Sequence, residues 1–203
     1  SSNEIYGENR GDVEFFDEKY CGYIDSNTLR AGYPESKRCG EALCQAYKKQ
    51  ENLDVVIPRF TRSYGPTMLK TDTKAISQFI KRAVYSENIV LKSAGTQYYS
   101  YTYVADAVAG FLTVLLKGES GEAYNIADEA SDIMLKDLAK IIADFAGKEV
   151  IFELPDETEK AGYSKATKAR LDGAKLKKLG WKARYDIKQG LERTMKMLTE
   201  ISK

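Results

Sequence analysis

The stretch LDVVIPRF, residues 53–60, is an apolar run without polar alternation, β-branched at its centre and bounded by turn residues. A strand wetted on one face alternates apolar with polar side chains, so a strand that does not alternate is covered on both faces. Residues 1–7 read as the end of an earlier strand. Between the two, Cys39, Ala42, Leu43, Ala46 and Tyr47 recur at the spacing of one helix face, behind Pro34 in first-turn position. Strand, helix and covered strand in that order specify an α/β layer architecture with parallel pairing.

The remaining segments extend this pattern. A turn follows at Gly7–Gly11, and residues 12–32 are polar, lack a period and read as loop. Helix 34–49 leads to strand 53–60, and a second helix over 72–85 carries Ile76, Phe79, Ile80 and Ala83 on one side. A short strand (89–92), an aromatic loop (95–104), a helix (104–117) and a strand (122–128) come next. Helix 135–146, strand 150–154, a short helix near 172–179 and a last helix over 186–201 complete the chain. It has no internal repeat and no low-complexity linker.

Composition narrows the chemistry. Thirty-one basic residues stand against 30 acidic ones among 203, so no excess charge points to nucleic acid or an anionic membrane. The longest apolar stretch, AVAGFLTVLL (107–116), is far below the roughly 18 residues of a membrane span, and no signal peptide is read at the start. Cys21, Cys39 and Cys44 are odd in number and lack CxxC spacing, which suits free thiols in a reducing cytosol and a cytoplasmic location. The chain has no histidine. Ser-His-Asp and Cys-His nucleophiles and His-ligated metals are thereby excluded, and acid–base work falls to Tyr, Lys, Ser, Asp or Glu.

Tyr33 and Lys37 are four apart on one helix, a spacing that puts Cβ atoms about 5–6 Å apart. An ammonium beside a phenol favours the phenolate, which can take a proton from an alcohol while a hydride leaves the same carbon. Two surface residues can share this spacing by chance, so the pair alone decides nothing. Its surroundings add weight. Upstream, SSNEIYG (1–7) brings a hydroxyl and a carboxylate to a strand end; downstream, RFTRSYGP (59–66) leaves the carboxyl end of the next strand. Open parallel sheets bind their ligands at that edge.

The segments SSNEIYG, YPESKRCGE, PRFTRSYGP and QYYSYTYVAD, in this order and spacing, together with the closing KLKKLGW, resemble the extended short-chain dehydrogenase/reductases. Within these the chain is similar to the NAD-dependent nucleotide-sugar epimerases, dehydratases and decarboxylases. The resemblance implies a fold class: α/β, the C-terminal part of a Rossmann-like doubly wound parallel sheet plus a smaller α/β substrate-binding domain. It divides the chain into residues 1–66, a remnant of the NAD-binding domain, and 67–203, mainly the nucleotide-sugar-binding domain with some chain returning to the sheet. It implies that Ser2 hydrogen-bonds the sugar C4 oxygen, that Tyr33 is the general base, and that Lys37 binds the nicotinamide ribose. Phe60 is a further expected contact to NAD, and Asn3 to the substrate. Oxidation at C4 would then open epimerisation, dehydration or decarboxylation at the neighbouring carbons.

Glu4 matches the acid that handles the C5 proton in dehydratases and is also present in decarboxylases. Asn3 takes the place where 4,6-dehydratases commonly carry a second acid. Residues 33–66 look most like UDP-glucuronate decarboxylases. Two positions depart from the family pattern: Arg62 stands where an Asn is usual, and Tyr99 stands where an Arg binds substrate phosphate. Arg62 is expected to replace that lost contact, with pairing to a carboxylate as the alternative. Tyr98, Tyr99, Tyr101 and Tyr103 could stack on a base or sugar or simply pack. Lys168 and Arg170, in a lysine-rich tail from Lys160 to Lys188, are candidates for a nucleotide contact. The expected partners are a UDP- or dTDP-linked sugar and a second copy of the chain, joined through helices 34–49 and 72–85, with neither nucleic acid nor membrane. The Gly-rich turn that cradles the NAD pyrophosphate in this family is not in these 203 residues. The chain taken by itself is therefore expected to be a non-catalytic nucleotide-sugar-binding module.

Overall fold

The computed structural model describes residues 1–153 and 167–201. Residues 160–166 of the lysine-rich tail thus lie outside the described residues. Helix α1 (Gly32–Glu51) begins two residues before Pro34, whose missing N–H belongs to a first turn that has no acceptor for it. It ends at Asn52, in the left-handed conformation that stops helices. Strand β1 (Ile57–Phe60) pairs in parallel with β5 (Ala123–Ile126). On its other side Ser1 N donates to Pro58 O at 2.8 Å, and Ser2 bridges Phe60 in parallel. Residues 1–2 are therefore the strand end read from sequence, but Asn3–Tyr6 turn away as a 3₁₀ helix with Ser2 as its N-cap.

A second sheet is built around β4 (Tyr98–Tyr103), which pairs in parallel with β2 (Arg62–Tyr64) and β8 (Lys168–Ala169) and antiparallel with β6 (Asp132–Met134). The aromatic segment expected as loop is thus a central strand. Tyrosine and threonine favour strands, and Tyr99, Tyr101 and Tyr103 are buried on one face while Ser100 and Thr102 are buried on the other. Two three-residue strands, β3 (Ile89–Leu91) and β7 (Val150–Phe152), form a parallel pair.

Helix α2 (Ala75–Val84) buries Ile76, Phe79, Ile80 and Ala83. It packs on α4 (Leu135–Ala146), whose Leu138, Ala139 and Ile142 are equally enclosed, and on α6 (Ile187–Ile201). A smaller core gathers Val114 of α3 (Val104–Lys117), Tyr124, Ile126, Trp181 and Leu176 of α5 (Ala174–Lys178). No helix among the described residues is long and apolar enough to cross a membrane.

The apolar stripe of helix α1 stays outside the core of this chain, with Leu43 and Tyr47 53% and 54% exposed. The inward side is polar: Glu41 reaches Arg59, and Lys48 donates to Ser120 O at 2.7 Å. The two helices expected at a dimer interface are therefore unlike, since α2 has spent its stripe on the core of its own chain.

Candidate functional site

The candidate site lies where residues 1–2 and β1 end together. Phe60 N donates to Ser1 O, and the chain after Phe60 crosses through Thr61 into β2. Thr61 and Thr102 join their hydroxyls at 2.5 Å across this crossing, and Thr102 donates on to Ile126 O. Three strand ends are thus fastened side by side.

Ser2 is buried, its Oγ accepting from Glu4 N at 3.3 Å and donating to Asn3 Oδ1 at 3.4 Å. This capping turns Asn3 inward and leaves Glu4 half-buried at the rim. Gly7 closes the turn at φ 70°, and a Cβ there would run into the Tyr23 carbonyl, so residues 22–23 can pass directly over Tyr6–Glu8.

Glu4, Arg62 and Tyr99 come together. Arg62 Nη2 stands 3.7 Å from Glu4 Oε1, and its guanidinium carbon lies 3.6 Å from the centre of the Tyr99 ring. Arg62 pairs in register with Tyr101, placing Tyr99 on the same face of the neighbouring strand. The alternative for Arg62, pairing with a carboxylate, is therefore present, and the carboxylate is that of Glu4. Tyr103, by contrast, packs edge-on against Tyr185 at 5.0 Å and beside Tyr64 at 5.8 Å. Burial pushes the Tyr101 hydroxyl up to about 12, so it stays a neutral part of the core.

Tyr33 and Lys37 form a second group at the start of α1. Lys37 Nζ lies 5.3 Å from the Tyr33 ring centre, and the tyrosine is 55% exposed. Arg38, one residue on, ties this turn of α1 to the first group by donating to Ile5 O at 2.8 Å and Gly22 O at 2.7 Å. The helix that presents Tyr33 and Lys37 is thus latched to the turn that presents Ser2 and Glu4. Lys168 and Arg170 stand apart on and after β8. Lys168 is exposed, whereas Arg170 is clamped by Glu14 at 3.0 Å, Asp132 at 3.3 Å and the rings of Phe15 and Tyr98. The Asp132 contact is an ion pair without hydrogen-bond geometry. Burial pushes the Asp132 carboxyl up to about 6 despite that partner.

Sequence reasoning passed over the residues that support the site. Arg59, in a buried strand, donates to Glu41 at 3.0 and 2.6 Å, to the Tyr6 hydroxyl at 2.9 Å and to Glu18 O at 2.8 Å. Burial opposes its charge, but the bonds to Glu41 and Tyr6 more than offset this and raise its pKa. The Tyr6 hydroxyl, pushed up to about 12 by burial, donates to Asn125 Oδ1. Fully buried Asn125 spends both amide hydrogens on Phe16 O and Asp172 O, and its backbone N–H donates to Glu18. A lone arginine in the apolar run IPRF was the available signal, because a charge in a covered strand requires a buried partner.

Comparison with known proteins identifies the family. The model of the NAD dependent epimerase/dehydratase family matches residues 1–127. UDP-glucuronic acid decarboxylase 1 of Xenopus tropicalis is 30% identical over 199 residues, covering 96% of this chain and 45% of that protein. The chain thus spans about half the length of the curated relatives it matches. Among solved structures, UDP-glucose 4-epimerase of Thermotoga maritima superposes with a TM-score of 0.86 at 22% identity, over 100% of this chain and 63% of that one. dTDP-glucose 4,6-dehydratase of Bacillus anthracis does so with a TM-score of 0.81 at 23% identity, over 98% and 60%. These structures share the Rossmann-like α/β fold. With the family model matching well over half of its residues, the chain belongs to the NAD-dependent epimerase/dehydratase family.

Proposed function

We propose that the protein is an NAD-dependent enzyme that oxidises a UDP- or dTDP-linked sugar at C4, and that decarboxylation of a UDP-linked uronic acid is the reaction that follows. The observation that carries this reading is the Arg38 latch, which holds Tyr33 and Lys37 beside the turn of Ser2 and Glu4. The similarity to a UDP-glucuronic acid decarboxylase over 96% of the chain supports the choice of reaction.

Tyr33 and Lys37 fit the nicotinamide-ribose end of NAD, because their hydroxyl and ammonium share one open helix face; Phe60 would flank them. The phosphate-cradling turn is not among these residues. Bound NAD would supply the acceptor for the hydride leaving C4. Tyr33 takes the proton of the C4 hydroxyl, and Lys37 holds the nicotinamide ribose beside it. Ser2 donates a hydrogen bond to the C4 oxygen, and Asn3 orients the sugar beside it. A ketone at C4 makes a C5 carboxylate a β-keto acid, whose C5–C6 bond breaks with loss of CO₂. The enolate left at C4–C5 takes its proton at C5 from Glu4, and return of the hydride to C4, with the proton back from Tyr33, closes the cycle. Arg62, stacked on Tyr99, is a cation for the substrate, and Lys168 and Arg170 are the candidates for a nucleotide contact. A cytoplasmic homodimer joined through helices 34–49 and 72–85 completes this reading, with the exposed stripe of α1 as its apolar contact.

The test is product mass. Full-length protein incubated separately with UDP-glucuronate, UDP-glucose and dTDP-glucose is expected to release CO₂ from the first. Loss of water or an unchanged mass would replace decarboxylation by dehydration or epimerisation, and no turnover of any of the three would sink the reading. The 203-residue chain with added NAD⁺ is expected to turn over none of them, because it carries no pyrophosphate cradle.

A further inference from the structure

Arg62 is held in an unusual way. Its 3.7 Å approach to Glu4 lies within ion-pair range but beyond a hydrogen bond. Its flat face rests on Tyr99 at 3.6 Å, and its Nη1 is buried with no hydrogen-bond partner among the described residues. The guanidinium is therefore positioned by its face and its strand, while its hydrogen-bonding edge is underused. A buried donor without a partner is costly, and a guanidinium edge matches phosphate or carboxylate oxygens two at a time. Glu4, with a third of its side chain exposed, can swing away from Arg62 into water without losing solvation.

We propose that Arg62 exchanges partners: in the free protein it holds Glu4, and an oxyanion of the substrate takes its edge and releases Glu4 to act at the sugar. The proposal rests on the nucleotide-sugar reading above. Arg62 is here a positioning residue for Glu4 as well as a substrate contact. The oxyanion is either a phosphate of the nucleotide diphosphate or a carboxylate of the sugar. Competition for one cation has a thermodynamic signature. Removing the charge of Glu4 must strengthen anion binding, and must do so only while Arg62 is present.

Binding by calorimetry to the full-length protein reads this out without turnover. UDP, UDP-glucose and UDP-glucuronate would be titrated into wild type, Glu4→Gln, Arg62→Asn and the double variant. Glu4→Gln is expected to tighten binding about two- to fivefold, the scale of a partly exposed ion pair. Arg62→Asn is expected to weaken it on the order of tenfold or more, as for loss of a charge-assisted hydrogen bond, and to abolish the gain from Glu4→Gln. Arg62→Lys keeps the charge without the fork and should fall between wild type and Arg62→Asn, which separates lost recognition from lost folding. Effects already seen with UDP assign the oxyanion to phosphate; effects confined to UDP-glucuronate assign it to the carboxylate. A Glu4→Gln gain that persists beside Arg62→Asn would show Glu4 repelling the ligand directly and would overturn the exchange alone. So would Arg62→Asn binding all three ligands like wild type. If wild type bound none of them, the nucleotide-sugar reading itself would fall, and the exchange with it.

Discussion

Helices α1 and α2 both carry an apolar stripe at helical spacing, and the fold uses the two in opposite ways. Helix α2 drives Ile76, Phe79, Ile80 and Ala83 into the core, whereas α1 leaves Leu43 and Tyr47 about half exposed and docks through Arg38, Glu41 and Lys48. One seam is apolar and interdigitated; the other is a set of charge-assisted hydrogen bonds. The difference teaches that periodicity identifies an amphipathic face without saying which side meets the protein's own core. It also fits the work of each helix. A packed apolar seam fixes α2 on α4, while a polar seam sets the height and rotation of the helix that carries Tyr33 and Lys37.

The contrast can be broken at three points. Phe79→Ala in α2 is expected to cost about 3–5 kcal/mol in urea unfolding, from lost burial plus the cavity left behind; a loss below about 1 kcal/mol would make α2 peripheral. Glu41→Gln should cost less, about 1.5–3 kcal/mol, since Arg59 keeps a neutral acceptor in place of a charged one. That cost should also depend on pH. Burial alone would raise the Glu41 pKa, but the hydrogen bonds and charges of Arg59 and Ser1 together outweigh it, so the folded value lies below the ordinary 4.5. A carboxyl depressed in this way stabilises the fold above its unfolded pKa and loses that contribution as pH falls through the folded one. The gap between wild type and Glu41→Gln should accordingly be full near neutrality and close in acid. A gap that stayed constant would mean that Glu41 acts by shape alone. Smallest of the three, Leu43→Ser with Tyr47→Ser should change monomer unfolding by no more than about 0.5 kcal/mol per site. The same pair should shift full-length protein from dimer to monomer in sedimentation, and an unchanged profile would remove α1 from the interface.

These contrasts mark what the sequence could and could not disclose. The parallel layers were legible because LDVVIPRF does not alternate and because Pro34 and Asn52 punctuate α1. The central strand Tyr98–Tyr103 was hidden, since its Ser and Thr read as polar until Ser100 is seen bonded to Asp132 and Leu171, and Thr102 to Thr61 and Ile126. Strands as short as β6 and β8 carry no period at all. Ser2, Glu4, Tyr33 and Lys37 stood out as motif positions. Their latch, Arg38, looked like one more surface charge, because its acceptors are backbone carbonyls that no pattern of side chains reveals. The meeting of Arg62 with Glu4 depends on two strand ends lying side by side, which is a property of the sheet and not of either segment.

Asn125 bears on the time the chain needs to assemble. Its partners Tyr6 and Phe16 lie 119 and 109 residues away along the chain, and Asp172 lies 47 away. Closing loops of that length spends chain entropy before any contact compensates it, and folds rich in such contacts assemble slowly. Each of these joins is a poor place to begin folding and a good place to finish. The bonds of Asn125 are accordingly expected to form late, so that Asn125→Ala should quicken unfolding more than it slows folding.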